Sequence, residues 1–323
     1  MKSLSIKKVL LPLAIAAVLP ISALADTTFY GKANLSYEAY DRNAIDDEND
    51  FNENVLNSNA SRIGVKGFED LPDAGIQAIW QIEYETAPDD GDVKGSTFTQ
   101  RNIYGGFQGG FGRIIAGYFD TALKRSQKKV DLFNDLSADI KNTITSSEKR
   151  LSNSVQYDTG KLLGDFKVAI DYVSSEDKDV DSGISSAIAY DTKKVYLSAA
   201  YDKDILGKDS KVLRLVGQFK VGPVQLGALY EEQDTSNKKT EGYLASVKWG
   251  FADNLALKFQ YGESDNVREG AETANIGLDY KLSKSTKIYA LYTTEKNRKY
   301  KDGSGNSHSV DFDTAGVGFE IKF

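Results

Sequence analysis

The sequence predicts an all-β chain: sixteen antiparallel strands closed into a transmembrane β-barrel. Three observations carry that prediction. Apolar and polar residues alternate with period two through many short segments, as strands lying between lipid and water require. Short and long connections alternate between those segments. Aromatic residues stand at segment ends, at Tyr30, Tyr40, Tyr84, Tyr118, Tyr201, Tyr230, Trp249 and Phe323, where interfacial girdles fall. A soluble β-sandwich also alternates, but it has no reason to ring its strand ends with aromatics.

Residues 1–25 stand apart from this pattern. Lys2, Lys7 and Lys8 open an apolar run from Val9 to Leu24, and Ala23-Leu24-Ala25 directly precedes Asp26. A basic start, a short apolar core and a small-x-small site read as a cleaved signal peptide. Pro12 and Pro20 interrupt the run, which is shorter than the roughly 20 apolar residues of a membrane helix. The expected organisation is therefore a leader over 1–25 and one barrel domain over 26–323.

The strands are expected near 28–40, 60–68, 75–86, 98–108, 112–118, 150–158, 164–174, 183–190, 194–202, 211–221, 223–232, 241–250, 254–262, 273–282, 286–295 and 312–323. Phe166, Val168, Ile170 and Tyr172 oppose Lys167 and Asp171. Leu255, Leu257, Phe259 and Tyr261 oppose Lys258 and Gln260. Ala315, Val317, Phe319, Ile321 and Phe323 oppose Gly316, Gly318, Glu320 and Lys322. Short links sit at Glu69–Ala74, Gly109–Gly112, Asp191–Lys193, Gly222, Phe251–Asp253 and Ser283–Ser285. The polar stretches 41–59, 87–97, 119–149, 175–182, 203–210, 233–240, 263–272 and 296–311 lie between them. Barrels of outer membranes place short turns on the periplasmic side and long loops outside. An even strand count then leaves both termini periplasmic.

Composition narrows the function. Setting aside the three leader lysines, 37 of the 40 Lys and Arg remain against 47 Asp and Glu, a balance of −10. Nucleic acid, which needs a basic face, is not an expected partner. The chain has no cysteine, so neither disulfides nor cysteine-ligated zinc hold it. A barrel hydrolase would need a base beside a nucleophile. The sole histidine, His308, falls in the turn-rich stretch Gly303-Ser304-Gly305-Asn306-Ser307-His308-Ser309, which reads as loop. Asp177-Lys178-Asp179-Val180-Asp181-Ser182-Gly183 imitates a calcium loop, but Ser182 stands where the turn glycine belongs and Ile188 where the bidentate Glu belongs. Asp46-Asp47-Glu48-Asn49-Asp50 reads as an exposed acidic tip. Gly105-Gly106 and Gly109-Gly110 lack the Gly-Lys-Ser/Thr of a phosphate loop. No catalytic residue, cofactor or metal site is expected.

Four segments resemble the general, trimeric porins of the Gram-negative outer membrane. Ser61-Arg62-Ile63-Gly64-Val65-Lys66-Gly67-Phe68-Glu69-Asp70-Leu71 is similar to their second strand and first turn. Arg101 through Thr121 (RNIYGGFQGGFGRIIAGYFDT) resembles the fourth and fifth strands, the turn between them and the start of the third loop. Arg150-Leu151-Ser152-Asn153-Ser154-Val155-Gln156-Tyr157 resembles the strand after that loop. The last is the terminal strand ending in Phe323. The chain departs from the pattern at Tyr118 and Ala122, where many members carry Arg and Pro, and it lacks the Pro-Glu-Phe-Gly-Gly stretch of some third loops.

The resemblance implies an outer-membrane homotrimer in contact with lipid and lipopolysaccharide, whose water-filled pores pass small hydrophilic solutes and ions. It implies an inward-folded third loop, here 119–149, whose acidic groups face basic wall residues. Arg62 shares the parity of Gly64 and Lys66, opposite Ile63 and Val65, and should face the lumen, because an Arg facing lipid at mid-membrane costs about 2–4 kcal/mol. By resemblance Arg101 and Arg150 join it, facing Asp131, Asp135 and Asp139 across a constriction. Phe319, Ile321 and Phe323 form an outward stripe, and the resemblance makes Phe323 part of the signal read by the barrel-assembly machinery. Gly31 and Ala33 are expected to let protomers pack closely. A substrate-specific channel is the alternative, with Tyr196, Phe107 and Tyr289 as candidate inward aromatics. The arginines favour anions and the acidic total favours cations; the expectation is weak cation preference.

Overall fold

The computed structural model describes residues 26–43, 51–91, 95–175, 182–235, 238–301 and 307–323. Residues 1–25, expected to be a leader, and the acidic stretches 46–50 and 177–181 lie outside them. Of His308 the backbone alone is described, within the last strand.

The strands are β1 (Thr27–Asn43), β2 (Phe51–Ser58), β3 (Arg62–Leu71), β4 (Ile76–Thr86), β5 (Phe98–Gly109), β6 (Gly112–Asp120), β7 (Arg150–Asp158), β8 (Phe166–Val173) and β9 (Gly183–Asp191). They continue as β10 (Val195–Lys203), β11 (Lys211–Val221), β12 (Val224–Thr235), β13 (Lys238–Trp249), β14 (Leu255–Ser264), β15 (Ala271–Lys281), β16 (Thr286–Lys301) and β17 (Ser307–Lys322). Each pairs antiparallel with its neighbours, and β1 pairs with β17 from Lys32↔Lys322 to Asn43↔Asp311, closing the sheet. Closure leaves no unpaired edge, a necessity where no water can satisfy backbone groups.

The seventeen ladder strands make sixteen staves. β2 and β3 are one stave, since β1 pairs with both: residues 35–42 with β2 and 27–32 with β3. Between them Ala60 adopts φ 51°, which breaks the ladder for three residues. Its buried neighbours compensate. Asn59 N–H donates to the Asn34 carbonyl at 2.7 Å and Ser61 Oγ to the same oxygen at 3.2 Å.

The alternation resolves into two faces. Outward residues such as Val317 (61% exposed), Ile63 and Leu215 form the apolar belt, while Ser36, Gln156, Ser185 and Thr293 on the opposite parity are buried inside. Where strands rise beyond the belt, the ladder continues through polar sequence. Thus β2, β13 and the β16–β17 hairpin extend into stretches expected to be loop. Lipid imposes alternation only at its own height; beyond it, backbone pairing alone sustains a strand.

Two expectations are corrected. Phe107 lies opposite Ala78 on the outward parity and is exposed, so it is no lumen aromatic. Gly31 does not present an open small surface: a Cβ there would collide with the Phe323 ring. Its smallness serves the strand closure within one chain.

Candidate functional site

The connection between β6 and β7 returns into the barrel instead of leaving it. It begins with α1 (Ala122–Ser126), whose cap Thr121 accepts from Lys124 N–H, and later forms a single 3₁₀ turn at Ile140–Asn142. Its apolar side chains rest on inward-parity residues of the wall. Leu123 packs with Ala200 and Val212. Val130, Ile140 and Ile144 pack with Tyr196, Val216, Leu229 and Leu244. Phe133, Leu136 and Ala138 pack with Tyr289 and Leu291. Leu123, Val130, Phe133, Ile140 and Ile144 are all at most 1% exposed. At roughly 1.5–3 kcal/mol per fully buried apolar side chain, these five supply on the order of 10 kcal/mol of gross docking energy against the entropy of ordering the loop.

Wall side chains also bind the loop backbone. Ser246 Oγ donates to Val130 O at 2.6 Å, Ser264 Oγ to Ile144 O at 2.7 Å, and Leu132 N–H to Gln260 Oε1 at 2.9 Å. Beneath the returning limb, Arg214 is fully buried. Its Nε donates to Glu231 Oε2 at 2.6 Å, Nη1 to Glu148 Oε1 at 2.7 Å, and Nη2 to Thr145 and Ser147 hydroxyls at 3.1 Å. This lock was not among the expected site residues. A signal for the loop's footprint exists in the sequence: at Val212, Val216, Leu229 and Leu244 the inward parity is apolar, so alternation fails on staves that carry a loop instead of water.

The loop packs on the wall of β10–β16 and leaves an open space of about 1380 Å³, lined by the loop itself, by β1 and β3–β7, and by the short-turn ends of β12–β17. There Asp135 reaches across to Lys32 Nζ at 2.7 Å and Arg62 Nη2 at 2.6 Å. Arg62 Nη1 lies 3.8 Å from Glu83, which also receives Arg101 Nε at 2.9 Å and the Tyr30 hydroxyl at 3.0 Å. Arg101 Nη1 meets Glu85 at 2.5 Å. Burial alone would raise the Asp135 carboxyl, but Lys32 and Arg62 outweigh it and hold the group well below the usual carboxylate range.

The remaining expected residues line the same space but bond to other partners. Arg150 pairs with Asp120 at 3.0 Å and donates to Asn102 at 3.1 Å, while Lys124 holds the same carboxylate. Asp131 accepts from Phe133 N–H (2.9 Å) and Ile140 N–H (3.3 Å), inside the loop. Asp139 accepts from Asp135 N–H and Lys141 N–H at 2.8 and 2.9 Å. Burial, then the nearby Asp139 charge, pushes the Asp131 carboxyl upward. The open space brings together Lys32, Arg62, Arg101 and Asp135; Asp131 and Asp139 chiefly shape the loop that carries Asp135. Fifteen Lys or Arg and nine Asp or Glu line it, the reverse of the chain's net charge of −7.

A barrel with a polar lumen narrowed by its own loop matches known proteins by sequence and by shape. The profile of the Gram-negative porin family matches residues 13–300. The major outer membrane protein P.IB of Neisseria sicca is 29% identical over 98% of this chain and 100% of its own length; that of Neisseria lactamica is 32% identical over 87% and 90%. Two solved structures share the fold over 92% of this chain. The loop L8 deletion mutant of OmpT from Vibrio cholerae has a TM-score of 0.68 and 16% identity over 99% of that chain. Salmonella typhi OmpF, in complex with daunomycin, has a TM-score of 0.67 and 18% identity over 97% of that chain. On the breadth of that sequence match and the closed sixteen-stave architecture, the chain belongs to the Gram-negative porin family and is an outer-membrane channel for passive diffusion of small hydrophilic solutes.

Proposed function

We propose that the loop 121–149 and the β1–β5 wall form the channel's constriction, with Asp135 on one side and Lys32, Arg62 and Arg101 on the other. The observation that carries this reading is the Asp135 carboxylate held between Lys32 and Arg62 at 2.7 and 2.6 Å. Opposed charges in a narrow, low-dielectric passage set up a transverse field that favours polar over apolar solutes. Arg150, with Asp120, extends the basic wall; Asp131 and Asp139 keep Asp135 in place. The basic excess along the lumen supports a preference for anions, the reverse of the weak cation preference expected from total charge.

General diffusion is favoured over a substrate-specific slide because Tyr196 and Tyr289 are buried beneath the loop, where passing solutes do not meet them. The barrel is proposed to act as a homotrimer, as in a trimer form solved for OmpT of Vibrio cholerae (TM-score 0.61, 17% identity), after cleavage of residues 1–25. Contact with lipopolysaccharide and reading of Phe319, Ile321 and Phe323 by the assembly machinery belong to the same proposal. Reversal potential in a planar bilayer tests the constriction. Arg62→Ala and Arg101→Ala should shift it toward cations and Asp135→Asn toward anions. Wild-type potentials and conductances in all three would remove the assignment. Liposome swelling that ranks solutes by identity rather than size would favour the specific channel.

A further inference from the structure

Six neighbouring staves carry an inward lysine near the end that meets a short turn or a chain terminus. They are Lys248 on β13, Lys258 on β14, Lys281 on β15, Lys287 on β16, Lys322 on β17 and Lys32 on β1. The registers set them directly opposite one another in three like-charged pairs: Lys248↔Lys258, Lys281↔Lys287 and Lys32↔Lys322. Like charges directly opposite on neighbouring strands are destabilising.

Carboxylates offset only part of this charge. Asp279 lies 2.9 Å from Lys258 Nζ and 3.7 Å from Lys287 Nζ. Glu320 pairs with Lys322 on its own strand, and Asp135 takes Lys32. Lys248 and Lys281 have no ion-pair partner among the described residues. The charged groups acting most strongly on Lys248 are Asp279 and the lysines Lys129, Lys281 and Lys287, and Lys258 stands directly opposite it. Lys258 is also tied to the loop, lying 4.6 Å from the Phe133 ring centre and donating to Leu132 O. Lys248 and Lys287 remain partly exposed to the lumen.

We propose that this lysine arc is a binding site, on the periplasmic side of the loop, for a small anion carrying two or more phosphate or carboxylate groups; it rests on the channel reading above. Strands lie about 4.8 Å apart, so six staves span on the order of 24 Å. An anion with several charges a few ångströms apart bridges adjacent pairs, which a single chloride cannot do. Lysine suits such a ligand, because its ammonium is a flexible point charge with three donors and charge-assisted bonds to oxyanions are the strong ones.

The proposal is tested by single-channel recording at 0.1 M KCl, with inorganic tripolyphosphate or citrate added to one compartment at a time. Either anion should interrupt the current, at much lower concentration from the compartment facing the short turns. The double variant K248E/K287E should raise the half-blocking concentration at least tenfold while its yield of heat-modifiable barrel stays near wild type. K248Q/K281Q, which adds no charge, serves where the first does not assemble, and should weaken block several-fold. If both anions leave the wild-type current uninterrupted, or if the variants block as wild type does, the arc is not an anion site. Folded barrels that carry no current at all would instead overturn the channel reading, and the site with it.

Discussion

Arg214→Ala removes the lock between loop and wall. The guanidinium is fully buried and satisfies Glu231 and Glu148 together, with Thr145 and Ser147 completing the shell. Deleting one partner of a buried ion pair costs about 3–5 kcal/mol, because the other charge is left unpaired. Here two carboxylates lose their shared partner, although Thr145 and Ser147 still donate to Glu231. The lower end of that range therefore applies, about 3 kcal/mol, which is roughly a hundredfold in population at about 1.4 kcal/mol per tenfold. The barrel itself survives, since its backbone ladder does not pass through this side chain. The cost falls on loop docking, where apolar contacts supply on the order of 10 kcal/mol gross before ordering entropy. Single-channel recording of Arg214→Ala should show larger, noisier conductance steps, and hydrogen exchange should speed up at residues 143–149 while β1–β17 stay protected. The triple variant Arg214→Met/Glu148→Gln/Glu231→Gln, which removes the charges together, should recover much of the wild-type trace. A quiet, wild-type current from Arg214→Ala would show that the apolar feet alone hold the loop and would refute this accounting.

The two loop aspartates respond to pH in opposite senses. Asp135 titrates below its unfolded value of about 3.9, so its contribution is present above that value and is lost only as strong acid protonates it; the Asp135→Asn shift in reversal potential should persist unchanged from pH 7 down to pH 4. Asp131 titrates above its unfolded value, so docking is firmest below about pH 4 and weakens as pH rises through its raised folded value. Channel noise should grow over that window, Asp131→Asn should abolish the trend, and an equal trend in the variant would exclude Asp131 as its source. Deleting Phe323 removes the Phe323 N–H to Gly31 O bond (3.2 Å) and the ring over Gly31; heat-modifiable barrel in cells should fall more than with Phe323→Leu, and equal yields would count against a role for the terminal residue. Gly31→Val, whose side chain meets Phe323 and the Arg62 carbonyl, should lower barrel yield in refolding without any assembly machinery present; wild-type refolding yield would show that the contact relaxes freely.

What the sequence determined by itself was everything that lipid dictates. Wherever a stave crosses the apolar layer, one parity must be apolar, as at Leu255–Tyr261 and Ala315–Phe323, and the periodicity is local enough to read without knowing any neighbour. The stave count, the outward stripe ending at Phe323 and the inward side of Arg62 all follow from that single constraint. Where lipid is absent the pattern is silent: β2 and the upper parts of β13, β16 and β17 are strands only because a partner strand stands beside them to pair with. The site shows the same division. That Arg62 faces the lumen was readable from parity. That Asp135, rather than Asp131 or Asp139, reaches Lys32 and Arg62 depends on how a loop of 29 residues (121–149) folds back across the barrel. Arg214, Glu148 and Glu231 look, one by one, like ordinary lumen charges. The β11–β12 register sets Glu231 opposite Arg214, and only the return of the loop brings Glu148 within 3 Å. The lysine arc is the same case: six residues from six strands become neighbours through strand register, which no local pattern in the sequence encodes.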